Sequence, residues 1–201
     1  MLDMHPQHTR RFGGRLSNQT GFSLLELLVV VGIMGVLSAM AIMVSPSFSR
    51  HAKAEAGIAQ ALDVIRSARE TAISQRRNVR VVPVGLTAIQ TVREDIGAGG
   101  VVTGTTVLRT VEFENRMQIR LEPGLPDTPD GFGVAAAWAF GPSPARMFTS
   151  EGGFVNQQGD VLNGTAFLSI AGDPLSPRAI TIFGSTGLVR AWRWNGREWV
   201  E

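Results

Sequence analysis

Residues 22–44, FSLLELLVVVGIMGVLSAMAIMV, form an almost unbroken apolar run of 23 residues with one formal charge, Glu26. At about 1.5 Å per residue, a helix of that length crosses a hydrocarbon layer of about 30 Å. Burying so uniform a helix in a water-soluble core demands a large body of protein around it. A chain of 201 residues leaves too little after the run to provide one. A secretory signal would have a shorter apolar region closed by a small-residue cleavage site, and no such site ends this run. The reading is a transmembrane helix over 22–44. Arg10, Arg11 and Arg15 precede it and Arg50 and Lys53 follow, a slight bias toward an N-terminus inside.

Glu26 is the anomaly. A carboxylate at mid-bilayer costs about 3 kcal/mol. Four residues into the run it lies only about 6 Å along the axis, within reach of the interface. Two readings follow: a tolerated, snorkelling glutamate, or an acid kept for a partner charge in an assembly. The surrounding residues bear on the choice. Gly21-Phe22-Ser23-Leu24-Leu25-Glu26, after a short basic leader and before the apolar run, resembles the prepilin processing motif of type IV pilins and of the pseudopilins of type II secretion. The resemblance implies that a prepilin peptidase cuts between Gly21 and Phe22, releasing leader 1–21, and that the new Phe22 amine is N-methylated. It further implies that Glu26 meets the Phe22 amine of a neighbouring subunit during filament assembly. That family often has a proline at the position of Met43; here the first proline after the run is Pro46, so a kink is expected slightly later or not at all.

The rest of the chain narrows the chemistry. Cysteine is absent, which removes disulfides, thiolate nucleophiles and Cys-based metal sites. The histidines are His5, His8 and His51, so none lies in the last 150 residues to serve a Ser-His-Asp triad or a histidine metal site. The expectation is no enzyme, no cofactor and no metal. The leader's three arginines against Asp3 account for the small excess of positive charge, so the body is formally neutral.

Over 45–77 the apolar residues Ile58, Leu62, Ile65, Ala68 or Arg69, and Ala72 recur every three or four positions, marking an amphipathic helix that continues the membrane half. Arg50, Lys53, Arg66, Arg69, Arg76, Arg77 and Arg80 form a basic stretch, read as a solvated face rather than as a lipid or nucleic-acid contact. From 78 to 201 the period changes to two. Strands are expected at 78–84, 88–93, 101–114, 116–122, 134–140, 165–170, 179–183 and 188–194, with a tight type I′ hairpin at Asn195-Gly196. Gly97–Gly100 lacks the lysine of a phosphate loop, and Asp127 and Asp130 beside Gly131 have too few oxygens for a calcium loop. The fold class expected is α+β: a long N-terminal helix packed on an antiparallel β-sheet domain.

Arg146 to Gly153, Gly164 to Ile170, 179–183 and Gly187-Leu188-Val189-Arg190 look like the GspH/FimT branch of pseudopilins, whose last strand often reads Gly-Arg-x-Arg. Leu188 stands where the first of those arginines would be. The resemblance implies a pilin-like fold and a single-pass inner-membrane protein with its C-terminal domain in the periplasm. Its partners would be the prepilin peptidase and other pilins or pseudopilins. Two jobs compete: a minor pseudopilin of a type II secretion system, and a FimT-like minor type IV pilin serving pilus assembly or DNA uptake. A membrane-anchored periplasmic protein with a chance leader is the third reading. In FimT-like pilins arginines of the last motif are implicated in DNA binding. Here Arg190, Arg193 and Arg197 alternate with Trp192, Trp194 and Trp199, which allows phosphate contact and base stacking or, more simply, a tryptophan-filled core.

Overall fold

The computed structural model describes residues 22–97, 99, 101–141 and 146–201, with the side chains of 41–50 outside the description. The chain separates into two compact units, Met1–Val44 and Ser45–Glu201. Helix α1, Leu24–Gln75, is assigned across both and passes through Pro46 without interruption.

In the first unit the helix begins with a defined cap. The Glu26 amide donates to Ser23 Oγ at 3.1 Å and the Leu27 amide to the Ser23 carbonyl at 3.2 Å, so Ser23 is the N-cap. Every described side chain from 22 to 40 is exposed, with Leu24 at 84 % and Leu28 at 64 %. A helix apolar on all sides is comfortable only in a non-aqueous setting or against partners. Among the described residues no helix is long and apolar enough to cross a membrane; the side chains of 41–44 of the expected span, and the whole of leader 1–21, lie outside the description.

In the second unit α1 contributes Ala54, Ile58, Ala61, Val64, Ile65, Ala68 and Ala72 to the core, one face at helical spacing. Small residues predominate, which lets the backbone approach closely. The helix ends at Gln75. Arg76 turns left-handed at φ 51°, the Arg77 amide donates to Ala72 O at 3.1 Å, and the Arg76 amide donates to Ile73 O at 3.3 Å. This is the bonding of a Schellman cap, with arginine at the position that glycine usually fills.

Two antiparallel sheets follow. The first has strands β1 (Val79–Val84), β2 (Ala88–Ile96), β3 (Val102–Glu112), β6 (Met147–Phe148) and β7 (Phe154–Val155), ordered β3-β2-β1-β6-β7. The second has β4 (Met117–Ile119), β8 (Gly164–Ile170), β9 (Arg178–Phe183), β10 (Leu188–Trp194) and β11 (Trp199–Val200), ordered β11-β10-β9-β8-β4. A further short strand, β5 (Trp138–Ala139), also pairs with β8. Val79, Val81 and Ile89 from one sheet and Leu168, Ile180 and Ile182 from the other meet the helix in a single core, completed by Phe140, Phe148 and Phe154. On the reverse face of the second sheet Phe167, Ala179, Trp192 and Trp199 form a smaller cluster, with Leu121, Leu125 and Trp194 packed against it. Strand β8 is therefore covered on both sides, and six of its seven residues are buried.

The α+β class holds, and several local expectations need correction. The helix stops two residues before 77. The strand expected over 116–122 keeps only Met117–Ile119: the Arg120 amide still donates to Phe167 O at 3.0 Å, but the Phe167 amide donates to Ala137 O at 2.7 Å, where β8 passes from β4 to the β5 segment, and Leu121 packs against the smaller cluster. Of 134–140 only Trp138–Ala139 is strand. The Asn195-Gly196 turn is not type I′. Trp194 pairs with Trp199 across a four-residue loop in which Gly196 alone has positive φ. Asn195 Oδ1 holds that loop by accepting the amides of Arg197 and Glu198 at 2.8 and 2.9 Å. The two-residue turn with both central φ positive lies instead at Asn115-Arg116 (59° and 63°), closed by Met117 N to Glu114 O at 3.2 Å.

Candidate functional site

The residues expected to carry processing and assembly fall at the start of α1. Gly21 lies outside the described residues. Phe22 is 81 % exposed and precedes the helix, leaving its backbone open to solvent or to an enzyme. Glu26 is the acidic residue of the first turn. There a carboxylate complements the partial positive charge of the helix N-terminus. Ser23-Leu24-Leu25-Glu26 is also a capping-box sequence, Ser-x-x-Glu, with the serine half of the box formed. Glu26 thus sits in its own helix terminus, and its side chain is exposed.

The three candidate nucleic-acid arginines do not converge. Arg190 and Arg193 are three apart on β10 and point to opposite faces of the sheet. Arg190 Nη1 donates to Asp130 Oδ1 at 3.0 Å, and its guanidinium carbon lies 5.2 Å from the Phe183 ring centroid. Arg193 stands across from Arg178 of β9. Arg197 is exposed in the four-residue loop.

Asp130 explains much of this. Its side chain is only 5 % exposed. Oδ2 accepts from Thr181 Oγ1 at 2.5 Å and from Trp192 Nε1 at 3.1 Å, while Oδ1 takes Arg190. The loop carrying it is closed by Asp127, which accepts the amides of Thr128 and Gly133 at 2.7 and 2.8 Å. Phe132 packs edge-on against Phe183 at 4.9 Å. The two aspartates therefore pin a loop onto the outer face of β9 and β10. Among the described residues no group of three or more His, Cys, Asp or Glu side chains could hold a metal ion.

The basic stretch of α1 is likewise partly consumed inside the fold. Arg69 donates through Nε to Gly152 O at 3.1 Å and through Nη2 to Thr186 O at 3.0 Å, tying two loops to the helix. Arg80 pairs with Glu94 at 3.2 Å. Arg109 reaches back to Asp63 of α1 at 2.7 Å.

Comparison with known families gives one finding. A family model described as the prokaryotic N-terminal methylation motif matches residues 16–42. The matched segment contains Gly21, Phe22, Ser23 and Glu26. It is a type IV pilin signal, and it supports a type IV pilin-like protein made as a membrane-anchored precursor, processed by a prepilin peptidase and assembled with other pilins. That description is of a structural subunit rather than an enzyme. No curated protein and no solved structure matches the chain.

Proposed function

We propose that this chain is a minor pilin-like subunit, a pseudopilin of the GspH/FimT kind, which assembles into a periplasmic filament of a type II secretion system. The observation that carries the reading is a coincidence of three features: the methylation motif at 16–42, the Gly21-Phe22 junction, and an acid at the fifth position of the processed chain. The body agrees with a pilin-like architecture. The second part of α1 lays an alanine-rich face into a core closed by two antiparallel sheets. In the filament the exposed apolar residues of 22–40 would pack against the same segment of neighbouring subunits. Glu26 would pair with the methylated amine of Phe22 on the next chain.

The FimT-like alternative, pilus assembly or DNA uptake, shares every step up to the choice of machine. Secretion is the better-supported job because Arg190 is already held by Asp130 and shares no face with Arg193. A phosphate-binding row on β10 is not assembled.

Mass spectrometry of the native protein tests the core of the reading. The expected mature chain starts at an N-methylated Phe22, and an intact Met1 or a cut beyond 44 overturns it. Gly21→Ala should retain the leader, and Glu26→Leu should insert and be processed but fail to enter filaments. Deleting the gene separates the two jobs. Loss of extracellular release of secreted proteins with surface pili intact supports secretion, and the converse supports the FimT-like alternative.

A further inference from the structure

Arg178 opens β9 with a side chain that is only 1 % exposed, among the most deeply buried large side chains in the described part of the molecule. Its Nη1 donates to three successive carbonyls, Leu175 O at 3.2 Å, Ser176 O at 3.3 Å and Pro177 O at 3.0 Å. Those bonds fasten the turn before the strand but oppose the positive charge only with carbonyl dipoles. Nε is buried and has no hydrogen-bond acceptor among the described residues. The nearest carboxylate oxygen, Glu55 Oε2, is 3.5 Å from Nε without hydrogen-bond geometry, on a side chain 65 % exposed.

The neighbouring strand makes the imbalance worse. Arg193 of β10 is the direct cross-strand partner of Arg178, on the same face of the sheet. Like charges directly opposite each other destabilise a sheet. Among the described residues Arg193 has no carboxylate within 4.0 Å. A buried cation beside a second cation is tolerable only with compact anionic compensation, and a solvent-exposed glutamate supplies little. Burial lowers the Arg178 pKa, the direction expected for a charge short of partners.

Both arginines line a cavity of about 210 Å³ between α1 and β10, walled on its apolar side by Ile58, Leu62 and Ala191. Glu55 and Glu201 also line it. A space with guanidinium groups at one side and aliphatic surface at the other has the shape and polarity of a short acid. We propose that this cavity is a binding site for a carboxylate on a short apolar stem, as presented by an acidic side chain of a neighbouring polypeptide or by a free short-chain acid. The carboxylate lies between the guanidinium groups of Arg178 and Arg193, and the stem rests on Ile58, Leu62 and Ala191. Neither the leader nor the membrane segment enters the argument, so the site stands or falls apart from the filament reading.

The test is an NMR titration of the full chain in detergent micelles, following arginine Nε–Hε resonances. The probes are propionate, its uncharged analogue propionamide, and N-acetyl-glutamate N-methylamide, which presents the same stem on a peptide backbone. Propionate should shift the buried Arg178 Nε–Hε signal saturably, and propionamide should not. Arg193→Gln, on an exposed residue and therefore expected to fold, should weaken binding at least about five-fold, and Glu55→Gln should tighten it. Binding of the glutamate probe at least as tight as that of propionate assigns the site to a side chain of another polypeptide. Binding of propionate alone assigns it to a free acid. No saturable shift up to about 100 mM, an equal response to propionamide, or unchanged affinity in Arg193→Gln overturns the proposal. Propionate binding that appears only in Glu201→Gln also overturns it, by showing that Glu201 already fills the cavity.

Discussion

Gly187 is the point at which the second unit is most sensitive to a single methyl group. It turns left-handed at φ 64° beneath Arg69, and a β-carbon there would overlap the Gly152 carbonyl oxygen and come within 2.6 Å of Arg69 Nε. Alanine at a left-handed position costs about 1–2 kcal/mol before any contact is considered, and a less flexible unfolded chain returns about 0.4–1 kcal/mol. The overlap adds more, because the Gly152 carbonyl is backbone and must move. That breaks the bond from the charged Arg69, worth about 1.5–3 kcal/mol. Gly187→Ala should therefore destabilise residues 45–201 by about 3 kcal/mol. Gly85 provides the control. Its φ is 61° and nothing lies within 4 Å of an added β-carbon, so Gly85→Ala should cost only about 0.5–1 kcal/mol. Urea unfolding followed by far-UV circular dichroism measures both. At a slope of about 2 kcal/mol per M the midpoint of Gly187→Ala should fall by about 1.5 M. Repeating the substitution in Arg69→Met, where the clamp is already gone, should reduce its cost by at least about 1 kcal/mol. If the two glycine variants lose equal stability, the clamp reasoning is wrong.

Arg116 should be more stable as glycine. Its φ of 63° is strained for a branched-at-nothing but β-carbon-bearing side chain, so Arg116→Gly should raise stability by up to about 1 kcal/mol, read as a melting temperature a few degrees higher. Asp130→Ala strips Arg190, Thr181 and Trp192 of their common acceptor and should cost about 2–3 kcal/mol in urea unfolding, a figure reduced because Arg190 is 39 % exposed. Asp95 has its pKa lowered, chiefly by the hydrogen bond from Thr106 and also by Arg93. A depressed carboxylate contributes stability that is complete above its unfolded pKa of about 3.9 and is lost as pH falls through the folded value. Asp95→Asn should therefore reduce stability at neutral pH and flatten its fall below about pH 4; parallel acid-unfolding curves for the two proteins would refute this.

The long periodic elements were legible in the sequence. Ile58, Ile65, Ala68 and Ala72 lie on the buried helical face as expected, and strands β8, β9 and β10 are close to where alternation put them. The two-residue strands β6, β7 and β11 were not, because two residues carry no period and their pairing is decided by neighbours remote in sequence. The Asn195-Gly196 signal failed for a related reason. Pairing of Trp194 with Trp199 fixes the loop at four residues, which overrides the local preference. At the N-terminus Ser23-x-x-Glu26 carries the capping-box pattern, and its serine half forms. Asp127 and Asp130 have too few oxygens for a calcium loop, and nothing local reveals that Thr181, Arg190 and Trp192 will surround Asp130. Arg178 carried no signal at all: an arginine at the edge of a strand usually faces water, and its burial follows from the packing of α1 across the sheet.

Trp192, Trp194 and Trp199 all belong to or border the small cluster on the reverse face of the second sheet, with the Trp194 and Trp199 rings 5.4 Å apart. Three of the four indoles therefore report on the outer layer, while Trp138, edge-on to Phe140 at 5.1 Å, alone borders the phenylalanine-rich centre under the helix. Fluorescence and circular dichroism unfolding curves need not coincide in such a protein. A fluorescence change that precedes loss of ellipticity would mean the tryptophan layer peels away while the helix and its sheets persist.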